Sequence, residues 1–284
     1  MCIRDRAEAS QKRINEFLGQ EPDIQDGISA NKKPVNFDIR FDKVNFMYDD
    51  TSIQALKNVS FSLESGKTLA IMGPTGSGKT TLLQLLSKTY LPHSGKVSLG
   101  GFALDEYAQK DIREIMGVVP QQPFLFSDTI AHNIRFGKPD ATEQEIEKAA
   151  KQAAVHKNIV EFTAGYETML GERGITLSGG QKQRVSIARA LIKNPKILLL
   201  DDCLSAVDTE TEEAILNALK KNNKDTSTII VCHRVSSAKN ADYILILKDG
   251  EIVQYGTHKD LVSQAGYYKD CLLYTSDAAD DSTR

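Results

Sequence analysis

The sequence has no apolar run that approaches the roughly 18 residues a membrane-spanning helix requires. It also lacks a long run of basic residues, and its formal net charge is −3. Because nucleic-acid-binding proteins carry clustered positive charge, direct binding of DNA or RNA is not expected. The sequence therefore predicts neither a membrane span within these residues nor a nucleic-acid partner.

Cysteine is also scarce. Cys2, Cys203, Cys232 and Cys271 show neither C-x-x-C spacing nor the density of a disulfide framework. This usage is typical of reduced thiols in a cytosolic setting. Cys203 and Cys232 stand beside apolar runs, so we expect them to be small buried residues.

The length and apolar content indicate a large core. The chain has 284 residues, of which 40% are apolar, and it exceeds the usual size of a single small domain. We expect one large domain with an inserted subdomain.

A glycine-rich segment carries the strongest chemical signal. Its sequence, GPTGSGKT at 73–80, fits the pattern G-x-x-x-x-G-K-[ST] and lies between a β-prone run and a helix-forming run. Such a loop binds phosphate because glycines let backbone N–H groups approach the oxygens and the helix dipole favours negative charge. The alternative is a glycine-rich turn that only starts a helix.

This loop predicts a nucleoside triphosphate site. We expect Lys79 to supply a mobile positive charge and the Thr80 hydroxyl to ligate Mg²⁺. The expected phosphate-binding residues are Gly73, Thr75, Gly76, Ser77, Gly78, Lys79, Thr80 and Thr81.

A second glycine motif, LSGGQ at 177–181, precedes an apolar run that ends in Asp201. Ser178 and the amides of Gly179 and Gly180 would open a helix, which predicts a second anion site. Alone, the motif could be a helix cap with flexible glycines. Together with the phosphate loop and the strand ending in Asp201, it resembles the signature of the ATP-binding cassette (ABC) proteins. The resemblance covers about residues 35–270.

This resemblance implies an α/β fold of the P-loop NTPase class, with a parallel core sheet, an antiparallel β-subdomain and an inserted helical subdomain at about 122–180. Patterning agrees, because alternation over 37–48 favours an antiparallel pair and the segment 142–156 is helix-forming. Strand signals for the parallel sheet lie at 116–119, 196–200, 227–232 and 243–247.

The resemblance also implies roles for single residues. Tyr48 matches the aromatic that stacks on adenine, although Phe46 is equally placed by period-two alternation. Gln121 matches a glutamine that reaches Mg²⁺ and the attacking water, with Gln122 as the alternative register. His233 matches the histidine that hydrogen-bonds the γ-phosphate, and it follows a β-rich run, where open α/β sheets place ligands.

Asp201 matches the carboxylate on the Mg²⁺ side of the site. In the family, two cassettes pack head to tail, and the signature of each contacts the γ-phosphate held by the other. The resemblance therefore implies ATP and Mg²⁺ as cofactors and a second cassette as partner. The residues that would act across this interface are Ser178, Gly179, Gly180, Gln181 and Asp208.

Asp202 stands where the family almost always has glutamate. Hydrolysis needs a carboxylate that polarises the attacking water, and a displacement of about 1 Å can cost on the order of a hundredfold in rate. The shorter aspartate should therefore hydrolyse poorly at this chain's own site. In the family, the substitution marks one subunit of heterodimeric exporters with unequal ATP sites. The alternative is that Asp202 is a tolerated equivalent with a slightly moved backbone.

Two further segments are similar to the exporter branch of the family. The run 171–174 resembles a loop that touches the transmembrane domain, although Met169 stands where exporters often have glutamate. Residues 7–34 begin with an amphipathic helix and resemble the linker from a preceding transmembrane domain; a surface helix is the alternative. These features predict a transporter subunit at the cytoplasmic face of the cell membrane.

Both ends resemble translated sequencing-adapter sequence, so 1–6 and 271–284 are expected to be non-native. Several functions stay open from the sequence. They are the ATPase of an exporter, a nucleotide-gated structural subunit with negligible hydrolysis, a soluble ABC protein acting on ribosomes or DNA, and an importer ATPase.

Overall fold

The computed structural model describes residues 3–19, 24, 34, 36–171, 177–222 and 225–273, without the side chains of 3–6 and 222. Among these residues the strands form two sheets, one with four strands and one with six.

The smaller sheet is antiparallel and has the order β2-β1-β4-β5. Its strands are β1 (Ile39–Tyr48), β2 (Ile53–Leu63), β4 (Ser94–Leu99) and β5 (Phe102–Ala103). Alternation along β1 buries Ile39 and Phe41 and leaves Arg40 in solvent, as expected when one face packs on a core. Phe41 stacks on Phe61 of β2, with ring centroids 4.7 Å apart. This sheet is the predicted antiparallel β-subdomain.

The larger sheet forms the core and has the order β10-β9-β3-β8-β7-β6. Its strands are β3 (Thr68–Met72), β6 (Met116–Val119), β7 (Ile197–Asp201), β8 (Ser227–Val231), β9 (Tyr243–Lys248) and β10 (Glu251–Gly256). All neighbours in this sheet are parallel except β10, which pairs antiparallel with β9. The predicted parallel sheet is thus confirmed, with one antiparallel strand at its edge.

Side chains of the core strands alternate between two apolar layers. In β8, Ile229 packs on the side of the antiparallel sheet and Ile230 packs on the side of the helices. Leu199 and Leu198 of β7 divide in the same way. Strands buried on both faces carry near-continuous apolar runs, which explains why this part of the sequence shows runs rather than alternation.

Helices other than the first complete both layers. They are α1 (Ile3–Leu18), α2 (Lys79–Leu86), α3 (Gln109–Ile115), α4 (Ile130–Arg135), α5 (Glu143–Gln152), α6 (His156–Val160), α7 (Gly179–Leu191), α8 (Thr209–Asn222), α9 (Val235–Ala238) and α10 (His258–Ser263), followed by a helical segment at 267–273. The segment 142–156, expected to be helical, is divided between α5 and α6. Ala154 has a φ of 52°, and a left-handed residue interrupts an α-helix.

The first helix presents its apolar side chains to solvent. Phe17 and Leu18 are each 74% exposed, and Ile14 is 51% exposed. Residues 20–23 and 25–33 of the expected linker at 7–34, together with residues 1–2 and 274–284 of the expected non-native ends, lie outside the described residues. Among the described helices, none combines the length and the apolar character needed to cross a bilayer.

The two-layer packing predicts that truncating a core side chain in either layer lowers the stability of the protein by a similar amount. Leu198→Ala and Leu199→Ala should each lower the free energy of unfolding by about 2–5 kcal/mol, because each leaves a cavity in one of the two layers. Urea denaturation of the 284-residue chain measures this. Val118→Ala is the control, since that side chain is 47% exposed, and it should cost less than about 1 kcal/mol. Loss of stability in only one leucine variant would contradict burial on both faces.

Candidate functional site

Several parallel strands end at the same edge of the core sheet, and each delivers part of the predicted site. The glycine loop follows β3, Gln121 follows β6, Asp201 ends β7 and His233 follows β8. A cavity of about 600 Å³ lies at this edge. The predicted residues that line it are Tyr48, Thr75, Gly76, Gly78, Lys79, Thr80, Thr81, Gln121, Asp201, Asp202 and His233.

Another cavity, of about 310 Å³, lies at the opposite edge, where Thr68 and Asp242 stand at the amino ends of strands. None of the predicted site residues lines it. Because open α/β sheets bind ligands at the carboxyl ends of their strands, the cavity of about 600 Å³ is the candidate site.

Two glycines of the loop are required by close approaches of the backbone. Gly73 has a φ of 146°, and a Cβ there would lie 1.9 Å from the carbonyl oxygen of Leu247 in β9. Gly78 has a φ of 100°, and its Cβ would lie 2.4 Å from the carbonyl oxygen of Ala55 in β2. Only glycine combines this conformation with this contact distance. The loop is therefore wedged between both sheets.

The buried ammonium of Lys79 is held by the loop itself. Its Nζ donates to the carbonyl oxygens of Gly73, at 2.9 Å, and Pro74, at 2.7 Å. Burial lowers the pKa of Lys79, and the carboxylates of Asp202 and Asp201 oppose that shift. A phosphate bound in the loop would favour the charged ammonium in the same way.

Thr80 and Asp201 form an oxygen pair suited to Mg²⁺. The Thr80 hydroxyl donates to Asp201 Oδ1 at 3.2 Å. Burial raises the pKa of Asp201, and the hydrogen bond from Thr80 opposes the rise. Within the described residues no group of three or more His, Cys, Asp or Glu forms a metal cage. Mg²⁺ is typically held by one or two carboxylates together with phosphate oxygens, so these residues fit it.

The Asp202 carboxylate lies between Gln121 and His233. Gln121 Nε2 donates to Asp202 Oδ2 at 3.3 Å, and His233 Nε2 lies 3.9 Å from the same oxygen. The Asp202 amide donates to the carbonyl of Val231 at 3.1 Å, and its φ is 43°. The structure thus brings Asp202 and Gln121, both predicted to act on the attacking water, close to His233, which is predicted to hydrogen-bond the γ-phosphate.

Tyr48 lines the cavity, whereas Phe46 is only 4% exposed and packs in the core. The Tyr48 hydroxyl lies 2.9 Å from Thr81 Oγ1 and donates to Gln84 Oε1 at 3.0 Å. These contacts fix the ring beside the start of α2. The alternation of β1 leaves undecided whether Tyr48 or Phe46 lines the cavity, and tertiary packing selects Tyr48.

The signature motif lies outside the cavity. Ser178 caps α7: its hydroxyl accepts from the Gln181 amide at 3.3 Å, and Gln181 Oε1 accepts from the Ser178 amide at 2.9 Å. A Cβ on Gly180 would lie 2.7 Å from the carbonyl oxygen of Ala206. Asp208 Oδ1 accepts from the Thr211 amide at 2.8 Å and caps the start of α8. One chain therefore does not bring these residues to its own cavity.

Three other predicted positions do not line the cavity. Gly73 and Ser77 belong to the glycine loop, and Ser77 is buried. Gly171 packs against Ser127, where a Cβ would lie 2.4 Å from Oγ. The rest of the predicted exporter-like loop, at 172–174, lies outside the described residues.

Sequence reasoning missed one wall of the cavity. It is formed by the start of β2 and the turn between β9 and β10, with Ile53, Gln54, Ala55, Lys57, Asp249 and Gly250. The Lys57 amide donates to the Gly250 carbonyl at 2.8 Å and joins these segments. The Asp-Gly pair signals a turn, but no sequence signal brings that turn to the glycine loop.

Comparisons with known proteins agree with this geometry. Residues 56–205 match the family described as ABC transporter. The chain is 47% identical over 265 residues to the uncharacterized ABC transporter ATP-binding protein YknU of Bacillus subtilis, covering 93% of this chain and 45% of that protein. It is 42% identical over 272 residues to the probable multidrug resistance ABC transporter ATP-binding/permease protein YheI of the same organism, covering 94% of this chain and 46% of that protein.

A solved structure shows the same fold. The structure of a bacterial Atm1-family ABC exporter with ATP bound aligns with a TM-score of 0.90 and 35% identity, over 95% of this chain and 47% of that one. The chain thus spans about half the length of the relatives it matches.

The wedged glycine loop predicts unequal effects of two alanine substitutions. Gly73→Ala should lower the free energy of unfolding by about 3 kcal/mol or more, because its Cβ meets backbone that cannot move independently. Gly76→Ala is the matched control, since no atom lies within 4 Å of its Cβ position; its backbone strain should cost only about 1–2 kcal/mol. Denaturation without nucleotide measures both. Equal losses would show that the loop is not wedged against β9.

Proposed function

This chain belongs to the ABC transporter family as an exporter-type ATP-binding domain, and we propose that it binds and hydrolyses ATP to power export of a substrate. The observation that carries the proposal is the single cavity that contains the glycine loop, Asp201, Asp202, Gln121 and His233. The domain corresponds to residues 35–270, with the helical subdomain at about 122–180.

The cavity residues divide the work of binding. The Tyr48 ring supplies a flat surface for adenine, while the loop amides, Lys79 and the N-terminus of α2 bind the phosphates. Thr80 and Asp201 hold Mg²⁺, with Gln121 near it. The bound ion neutralises charge on the β- and γ-phosphate oxygens. His233 donates a hydrogen bond to the γ-phosphate.

Asp202 is the residue that orients and polarises the attacking water. Its carboxylate hydrogen-bonds Gln121 and lies 3.9 Å from His233, so it has the partners expected of that role. The aspartate side chain is one methylene shorter than the usual glutamate. Since a shift of about 1 Å can cost on the order of a hundredfold in rate, hydrolysis at this site is slow.

A second cassette completes the site. Ser178, Gly179, Gly180 and Gln181 stand at the N-terminus of α7 and outside the chain's own cavity. A helix N-terminus binds anions, so the motif contacts the γ-phosphate held by the partner, and Asp208 lies at the same interface. An intact signature paired with a slow site favours a different subunit as partner, one that carries the usual glutamate.

The cassette works with a transmembrane domain at the cytoplasmic face of the membrane. Downstream of Gln121, Phe124 and Phe136 are 65% and 59% exposed, and the Phe126 ring contacts both, edge-on to Phe124 and tilted against Phe136. The Arg189 guanidinium lies 5.5 Å from the Phe126 ring centroid and holds this cluster in place. An exposed aromatic patch suits a protein interface. The helix at the start of 7–34 is the linker from that domain.

One other function has a specific observation in its favour. Because Gln121 already occupies one oxygen of Asp202, the site could bind ATP and close the dimer without appreciable hydrolysis. The chain would then be a nucleotide-gated structural subunit.

Loss of the loop ammonium should abolish most of the nucleotide affinity. Lys79→Ala in the 284-residue chain should weaken binding of Mg²⁺-ATP at least about tenfold, because charge-assisted hydrogen bonds to phosphate are lost. Equilibrium titration with a fluorescent ATP analogue measures this. Removing Mg²⁺ with EDTA should also weaken binding by the wild-type chain.

Lys67→Ala is the matched control for Lys79→Ala. Lys67 pairs with Asp242 at 3.6 Å at the opposite edge of the sheet, so its removal should leave affinity unchanged. Equal effects of the two substitutions, or no binding by the wild-type chain, would overturn the proposed site.

Restoring the longer carboxylate should speed hydrolysis at this site. In the assembled transporter, with the partner's own catalytic carboxylate replaced by an amide, Asp202→Glu should raise single-turnover ATP hydrolysis by about tenfold to a hundredfold. Asp202→Asn is the control and should abolish it. Unchanged or lower turnover in Asp202→Glu would contradict the length argument. Wild-type turnover no higher than that of Asp202→Asn would support the structural subunit.

A further inference from the structure

A charge pair with a buried carboxylate and a half-exposed guanidinium connects α8 to the turn that carries His233. The Glu212 side chain is 5% exposed, and its Oε2 accepts from Arg234 Nη1 at 3.1 Å. Its other oxygen accepts a short hydrogen bond from the Ser237 hydroxyl. Both carboxylate oxygens therefore have partners. Arg234 directly follows His233 in the chain, so the pair fixes the backbone next to that histidine.

The same guanidinium reaches the segment 205–208, here called the crossing loop. Arg234 Nη1 donates to the Val207 carbonyl at 3.3 Å, and Nη2 donates to the Ser205 carbonyl at 3.5 Å. A planar guanidinium with several donors can bind a carboxylate and carbonyl groups together. Arg234 thus joins α8, the His233 turn and the crossing loop.

The crossing loop is also attached on its other side. The Ala206 amide donates to Gln183 Oε1 of the signature helix α7 at 3.2 Å. The Ser205 hydroxyl donates to the carbonyl of Asp202 at 2.9 Å. The loop therefore contacts the catalytic strand end and the signature helix as well as Arg234.

The contact of Arg234 with Glu212 costs more free energy to break than its contacts with the loop carbonyls. Releasing Arg234 from Glu212 leaves a carboxylate buried without its charged partner, which strongly destabilises a protein. The guanidinium therefore keeps its position relative to α8. The crossing loop and the His233 turn move together with the guanidinium. A cavity of about 80 Å³ beside Glu212, Arg234 and His233 leaves room for such a shift.

We propose that Glu212 and Arg234 are positioning residues that make the His233 turn and the crossing loop move as one unit. A nucleotide phosphate that engages His233 then changes the position of a loop 205–208 whose end, Asp208, faces the partner cassette in the proposed dimer. The inference rests on the proposed function and deepens it. Neither residue contacts nucleotide; each acts through its neighbours.

Hydrogen exchange of the 284-residue chain tests this coupling. Exchange of the amides in 205–208 is compared with and without Mg²⁺ and a non-hydrolysable ATP analogue, and the affinity for that analogue is measured in parallel. In the wild-type chain the analogue should slow exchange in the loop by at least about fivefold, the lower end of typical coupling between sites. Glu213→Gln, an exposed change one residue along α8, should behave as wild type.

The informative variants are Glu212→Gln, which removes the charge, and Arg234→Lys, which keeps the charge but loses the planar fork. Each should reduce the nucleotide-dependent protection below about twofold while the affinity for the analogue stays close to wild type. If Glu212→Gln does not fold, Arg234→Lys decides alone, since it leaves no buried charge unpaired.

Two results would overturn the inference. The first is nucleotide-dependent protection of the loop in both variants that equals that of the wild-type chain. The second is loop exchange that is faster by the same factor with and without the analogue, because a purely structural role leaves the ratio of the two exchange rates unchanged. Failure of the wild-type chain to bind the analogue would instead overturn the proposed function, and the inference with it.

Discussion

Burial of the core strands on both faces holds the rest of the structure in place. Ile229 and Ile230, adjacent in β8, enter different apolar layers, so a one-residue slip would exchange their side chains between two close-packed layers and disrupt the packing of both. With the strands parallel and fixed, β3, β6, β7 and β8 end at one edge. The loops that follow these strands therefore lie close together, and the cavity forms between them.

Convergence sets the electrostatics of the site. Lys79 follows β3, whereas Asp201 and Asp202 stand at the end of β7, and the three side chains lie near each other in a partly buried region. Burial lowers the pKa of Lys79 and raises the pKa of Asp201, because low-dielectric surroundings disfavour each charged form. The opposite charges offset part of that penalty for each other. The site is thus adapted to a ligand that carries both an anion and a cation, as Mg²⁺-ATP does.

A second group of contacts links this site to the crossing loop, whose end, Asp208, is exposed. The crossing loop is held by Gln183 of the signature helix, by Arg234 and by the Asp202 carbonyl. Each holder belongs to a different functional segment. The cassette therefore contains a short physical route from its nucleotide-site residues to the interface proposed for a partner, composed of hydrogen bonds and the ion pair between Arg234 and the buried Glu212.

The sequence by itself determined the phosphate loop, the signature cap at Ser178, the buried thiols and the strands. These features depend on glycine conformation, helix capping and apolar periodicity, which act over a few neighbouring residues. Tertiary structure decided the rest. It placed Tyr48 rather than Phe46 at the cavity, divided the segment 142–156 at Ala154, and brought the turn at Asp249 and Gly250 beside the loop. It also paired Glu212 with Arg234. These depend on contacts between residues far apart in the chain, whose partners no local pattern specifies.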